Sequence, residues 1–352
     1  MLKILKMKNF YSKYSFLFNF KLFKIIILIL AYLFFKEKIK TKYFENIKDI
    51  ADFQKNIYLI NKNHSKLDYE NNTFAILKRN NCPLCGFFSY YCVFIECVIP
   101  YIINGDIPII DLNSYGNIYN NFKPNISENP WELYFHQPFG YKLNEVKKKA
   151  KKIKYYECFK KVNSYDNIYN YKNIIQFWHN ISKIFFPLKK IMINKAKKIR
   201  KKLFNNSQNL LGILIRGTDF ISSKTKSHPI PPKPEIVIRD VKKMDKENKY
   251  KFLFIATEDD LIREKFKKEF GNKIKFLQYK KKLNWDYNST KFLGQNALLI
   301  GNKEFTEIYI LNIIILSKCL DIIGGICNGL FGVFTISNGF RNTKIYDLGV
   351  YN

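Results

Sequence analysis

Leu210-Leu211-Gly212-Ile213-Leu214-Ile215 runs without a polar break into Arg216-Gly217-Thr218-Asp219. An unbroken apolar run of this length reads as a parallel strand buried on both faces. It ends in a fixed cation, a glycine and a carboxylate, so the strand delivers charge to the C-terminal edge of its sheet. That edge is where ligands of open α/β sheets bind. Arginine suits a diphosphate there, because its planar fork makes paired hydrogen bonds to phosphate oxygens and stays charged at physiological pH. Gly217 would let the backbone approach such a ligand. The plainer alternative is that Arg216 and Asp219 pair with each other at a strand end.

From Leu210 onward, apolar strands alternate with amphipathic helices. The pattern predicts strands over Leu210 to Ile215, Lys251 to Ala256, Lys273 to Gln278, Leu320 to Ile323 and Lys344 to Leu348. Helices are predicted over Pro234 to Glu247, Asp260 to Phe270, Glu304 to Lys318 and Leu330 to Ser337, with Pro234 in a first turn and Gly271 as a stop. Such alternation is a doubly wound parallel sheet. Three of its strand ends carry polar loops: Arg216 to Asp219, Thr257-Glu258-Asp259-Asp260, and Gly324-Gly325-Ile326-Cys327-Asn328-Gly329. Neither a GxGxxG fingerprint nor a GxxxxGK[ST] loop is present, which argues against dinucleotide oxidoreductases and nucleotide hydrolases.

The first half is less regular. Gly86-Phe87-Phe88-Ser89 opens an aromatic and aliphatic run to Ile103 that reads as a buried helix, with Ser89 as N-cap and Gly105 as stop. Ile107-Pro108-Ile109-Ile110-Asp111 reads as a strand ending in a carboxylate. Trp131 to Pro138 forms a dense cluster that includes His136, and basic helical segments are expected from there to about Asn206. The stretch before Arg79 receives no assignment.

At 352 residues and 47% apolar, the chain has material for two cores. The expected division is an N-terminal basic and apolar segment (1–45), an α/β domain (46–206) and a Rossmann-like domain (207–352). The net charge of +31 comes mostly from lysine spread along the whole length. No clustered arginine with interleaved aromatics accompanies it, so a specific nucleic-acid partner is not expected. Ile25 to Phe35 is an eleven-residue apolar run with lysines on both sides, read as an interfacial or weak membrane anchor on the cytoplasmic face, peripheral or single-pass. Seven cysteines, an odd number, favour a reducing compartment. Cys82 and Cys85 have the spacing of half a zinc site; with no second pair, they are read as two ordinary thiols.

Taken in order, the three polar loops and their strands resemble the three motifs of the fucosyltransferase superfamily. Gly86 to Ser89, Ile107 to Asp111, Trp131 to Pro138 and His228-Pro229 resemble a bacterial branch acting on surface polysaccharides. The resemblance implies a GT-B fold, with two Rossmann-like domains facing across a cleft. It also implies an inverting, metal-independent transfer from GDP-fucose, or another nucleotide-diphosphate sugar, to a cell-surface glycan acceptor, with no cofactor. It places Arg216 on the donor's diphosphate and puts Gly217, Thr218, Thr257, Glu258, Asp259, Asn328 and Gly329 around the donor. Where many members carry histidine two residues before the arginine, this chain has Leu214. Arg216, Asp219 and His228 are the catalytic candidates, with Glu258, His136 and Asp111 as further candidates for a base. Phe88, Ser89, Asp111 and His136 are placed on the acceptor side. The alternative is a catalytically silent carbohydrate- or membrane-binding protein on the same scaffold.

Overall fold

The computed structural model describes residues 55–56, 67–159, 172–279, 285–288 and 302–352. The apolar segment read as a membrane anchor lies outside the described residues. Among the described residues no helix is long and apolar enough to cross a membrane.

The first half builds a three-stranded parallel sheet from β1 (Thr73–Lys78), β2 (Ile107–Ile110) and β3 (Lys152–Glu157), in the order β2-β1-β3. Helix α1 (Phe87–Ile103) connects β1 to β2, and α2 (Leu143–Lys149) precedes β3. Two longer helices, α3 (Lys172–Phe185) and α4 (Lys190–Phe204), lead to the second sheet. Two expectations are corrected here. Lys152 to Glu157 falls in the stretch read as basic helix but is an edge strand: Ile153 and Tyr156 are half-buried while both lysines face out. Ser89 does not cap α1, because the helix begins two residues earlier with Gly86 as its N-cap. Gly105 follows its C-terminus at φ +80, a left-handed geometry that suits glycine.

The second half is a five-stranded parallel sheet of β4 (Leu210–Leu214), β5 (Phe252–Ala256), β6 (Ile274–Lys275), β7 (Asp321–Gly325) and β8 (Thr343–Tyr346), ordered β6-β5-β4-β7-β8. Between them come α5 (Pro234–Asn248), α6 (Asp260–Phe270), α7 (Asn302–Leu316) and α8 (Asn328–Ile336). The strand at Lys273 to Gln278 is shorter than expected, with only two residues paired to β5.

Side chains on alternate strand positions feed two cores. Leu211, Ile213, Ile215, Leu253, Ile255 and Ile323 pack with Val237, Val241, Ile262 and Phe266 of α5 and α6. Leu210, Leu214, Phe254 and Ile322 point the other way, into a core containing Phe204, Ile313 and Leu330 that continues into Phe74, Ile76, Phe88 and Tyr91 of the first half. Both faces are apolar, which is why these strands read as continuous hydrophobic runs. The result is the expected α/β architecture, with a doubly wound second sheet. Winding reverses between β4, which leads to α5, and β7, which leads to α8, so the two strand ends flank a topological switch point.

Candidate functional site

Strand β4 ends two residues before Arg216, and the guanidinium emerges at that switch point. A cavity of about 420 Å³ opens there, within the range of small-molecule sites. Its walls come from both halves. The second half contributes Leu214, Arg216, Asp219, His228, Glu258 and Asn328, and the first contributes Arg79, the loop from Asn81 to Phe87, Ser89, Ile118 and Tyr119.

Arg216 is clamped by carboxylates. Its Nε donates to Glu258 Oε1 at 3.0 Å and its Nη2 to Asp219 Oδ1 at 3.0 Å. The aromatic face of Phe220 lies 4.3 Å from the guanidinium carbon. Burial pulls the arginine's pKa down, but Glu258 and Asp219 outweigh it and hold the group more firmly charged than usual. The pairing with Asp219 considered from the sequence is therefore present, within a cavity wall. Glu258 Oε1 also accepts from Gly217 N and Thr218 Oγ1, each at 3.0 Å.

Thr218 holds a left-handed φ of 43°, strained for a β-branched residue. Bonds from its N–H to Asp259 Oδ2 (3.1 Å) and from its hydroxyl to both Glu258 and Asp219 fix that conformation. Asp259 in turn caps α6, accepting from Leu261 N and Ile262 N. The loops after β4 and β5 thus form one hydrogen-bonded block.

His228 stacks on Phe220, with ring centroids 5.5 Å apart. Its loop is tied to the C-terminal tail, since Ser227 N donates to Tyr351 O and Tyr351 N to His228 O.

The first-half part of the wall is the loop around Cys82 and Cys85, which sequence reasoning noted for its spacing without placing it at the site. Cys82 and Cys85 form a disulfide, which corrects their reading as two thiols. Tyr90 Oη donates to Cys82 O (2.6 Å) and Tyr119 Oη to Cys85 O (2.8 Å), fixing the loop against α1 and the turn at Ile118–Asn120. Cys92, Cys97, Cys158, Cys319 and Cys327 are not in disulfides.

The structure gathers Arg216, Asp219, His228, Thr257, Glu258, Asn328 and Ser89 around this cavity. It leaves several other expected residues outside the lining. Gly217 approaches Asp259 rather than a ligand: a Cβ there would lie 2.1 Å from the carboxylate. Thr218 and Asp259 are buried in the loop block, and Gly329 packs under Tyr309. Phe88 is wholly buried between Tyr91, Tyr309 and Gly332. Asp111 is wholly buried too, pairing with Lys147 at 3.0 Å and accepting from Asn113 N and Ser114 N. His136 lies in the segment that pairs with Leu188, its N–H bonded to Pro187 O; burial first, then Lys189 and Lys190, lower its pKa.

Residues that sequence reasoning missed include Arg79, Tyr279, Phe305, Tyr309 and Asn312, all lining the cavity. Tyr279 and Phe305 stack with centroids 5.1 Å apart. A signal for Arg79 was present: it follows the apolar run Phe74 to Leu77 much as Arg216 follows β4. Among the described residues no group of three or more His, Cys, Asp or Glu is placed to hold a metal ion.

No family model matches the chain, and comparison with curated proteins gives no match. Among solved structures, it is similar to NodZ α-1,6-fucosyltransferase soaked with GDP-fucose, at 11% identity and a TM-score of 0.41, over 76% of this chain and 93% of that one. Fucosyltransferase NodZ from Bradyrhizobium gives 11% identity and a TM-score of 0.38, over 72% and 88%. POFUT1 in complex with GDP-fucose gives 7% identity and a TM-score of 0.43, over 80% and 99%.

Proposed function

We propose that the chain is a glycosyltransferase that moves fucose, or a related sugar, from a nucleotide-diphosphate donor to a glycan hydroxyl, with GDP-fucose as the preferred donor and inversion at the anomeric carbon. One observation carries this reading. Arg216, the loop after β5 and the N-terminus of α8 meet in a single cavity at the switch point of a doubly wound sheet. The order of the three motifs in the sequence supports it.

Breaking the anomeric C–O bond leaves negative charge on the departing diphosphate. A preorganised cation stabilises that charge without having to reorient as the bond breaks. Glu258 and Asp219 orient Arg216 through two of its five N–H groups, leaving others for phosphate oxygens. Cys327 and Asn328, at the start of α8, line the same cavity, so the helix N-terminus adds a favourable dipole.

Both carboxylates are engaged by Arg216, which makes them poor candidates to accept the acceptor's proton. His228 takes that role in our reading, within the cavity and held by the C-terminal tail. The acceptor is a cell-surface glycan, and the lysine-flanked apolar segment from Ile25 to Phe35 holds the enzyme at the cytoplasmic face of the membrane.

The test is titration calorimetry with GDP, together with GDP release from GDP-fucose in the presence of cell-envelope glycan. Arg216→Ala is expected to weaken GDP by about 10- to 150-fold, the equivalent of ~1.5–3 kcal/mol for hydrogen bonds to a charged group. Release is expected to continue in EDTA. Unchanged GDP affinity in Arg216→Ala would remove the arginine's role, and GDP binding without any release would favour the silent binding protein.

A further inference from the structure

The two sheets end alike. Strand β1 is the middle strand of its sheet, as β4 is of the other, and each is followed closely by an arginine lining the same cavity: Arg79 and Arg216. Their surroundings differ in charge. Two carboxylates compensate Arg216. Arg79 forms no ion pair among the described residues: its Nη1 donates to Ser89 O and Ser89 Oγ, both at 2.9 Å, and Tyr90 presents its ring 5.5 Å from the guanidinium carbon.

Arg79 is 6% exposed, and its Nε is buried without a hydrogen-bond partner. A buried donor left unpaired carries a desolvation penalty, larger when the group is charged. Burial lowers the arginine's pKa, yet its ordinary value is so high that the group stays cationic at physiological pH. A second feature beside it also favours negative charge. Gly86, Phe87 and Ser89 line the cavity at the start of α1, whose N-cap residue makes no side-chain capping bond.

A neutral hydroxyl in the cavity would leave the guanidinium charge uncompensated, whereas a phosphate or carboxylate oxygen would compensate it. Counting full charges, Arg216 with Asp219 and Glu258 is net negative, so Arg79 is the wall that restores balance for an incoming anion.

We propose that Arg79 is a second oxyanion-binding residue of this cavity, taking a phosphate or carboxylate oxygen of the substrate from the wall opposite Arg216. The substrate's identity rests on the function proposed above; the anionic chemistry does not. The oxyanion is either the donor's diphosphate or an acidic sugar of the acceptor.

Calorimetry on the full chain distinguishes these sources, with GDP and glucuronate as probes and guanosine and glucose as their uncharged counterparts. Arg79→Gln is expected to weaken GDP, or glucuronate, by about 10- to 100-fold while leaving both uncharged probes unchanged. Arg79→Met keeps the buried stem and removes the charge that folding must desolvate, so it is expected to fold at least as well and to show the same loss.

Loss confined to GDP assigns Arg79 to the donor, and loss confined to glucuronate assigns it to the acceptor. Both variants binding GDP and glucuronate within twofold of wild type would overturn the proposal, as would a wild-type chain that binds neither. Glucuronate binding that depends on Arg79 in a chain blind to GDP would support this inference while sinking the GDP-sugar reading. GDP binding that depends on Arg216 and not on Arg79, with glucuronate unaffected, would do the reverse.

Discussion

Glu258 Oε1 accepts from Arg216 Nε, Gly217 N and Thr218 Oγ1, so one carboxylate oxygen holds both the guanidinium and the strained backbone beside it. Glu258→Gln keeps the shape but removes the charge that partners a half-buried arginine. Hydrogen bonds to charged groups contribute about 1.5–3 kcal/mol, so a loss near the lower end is expected, read as a drop in the urea midpoint. Asn312 is the opposite case. Its Oδ1 is buried on the cavity wall with no hydrogen-bond partner. Asn312→Leu removes an unsatisfied acceptor while keeping the side chain branched at Cγ, and is expected to stabilise the fold by about 1 kcal/mol. If that oxygen takes a hydrogen bond from substrate, the same variant raises KM, and higher stability with unchanged KM would give Asn312 no contact with substrate.

The element that joins the halves is α8. A Cβ on Gly332 would come within 2.3 Å of the Phe88 ring, so α8 and α1 sit closer than any larger side chain would permit. Gly332→Ala is expected to cost about 1–3 kcal/mol through overpacking, measured by chemical unfolding. On the α3 side, Tyr91 Oη donates to Ser182 Oγ (2.5 Å) and lies 3.0 Å from Thr335 Oγ1, while His179 Nδ1 is 2.9 Å from Thr335 O. Burial lowers the His179 pKa; the Thr335 carbonyl opposes it, and Lys183 and Lys318 reinforce it. The unfolded chain therefore binds the proton more readily than the native one. Stability from this histidine is complete above the unfolded value of about 6.5 and drains away as pH falls through the lower folded value. His179→Gln, which keeps an N–H for Thr335 O, is expected to reduce the loss of melting temperature between pH 7 and pH 5; an identical loss in both proteins would refute the assignment. Elements differ in how openly the sequence declares them, for the same physical reason. Strands β4, β5 and β7 are buried on both faces, so they stand out as apolar runs, and Asp259 and Gly271 mark the ends of α6. β3 half-buries only Ile153 and Tyr156 at a sheet edge, and its lysines made it look like a solvated helix.

Across the whole molecule, most of one cavity wall was legible and, of the other, only Ser89 was named as a site residue. Arg216, Glu258 and Asn328 follow strands of one sheet, and strand order brings their loops together. Arg79 and the Cys82 to Cys85 loop reach the same space only because two sheets pack through α1, α3 and α8, a relation with no local signature. That packing has a thermodynamic consequence. Buried side chains from Phe74, Ile76 and Tyr91 in the first half to Phe254, Ile322 and Leu330 in the second belong to one continuous apolar core. Halves joined by a small polar contact unfold separately, whereas halves that share a core lose it together. The full chain is therefore expected to melt in a single calorimetric transition, with calorimetric and van't Hoff enthalpies in agreement. A ligand bound between the halves raises that one transition, by ~2.7 kcal/mol of stabilisation at a hundred times its Kd. GDP added at that excess should move the entire peak upward without splitting it. Two resolved transitions, with only the later one shifted by GDP, would mean that the halves are held together far more weakly than the burial of Phe88 against Gly332 implies.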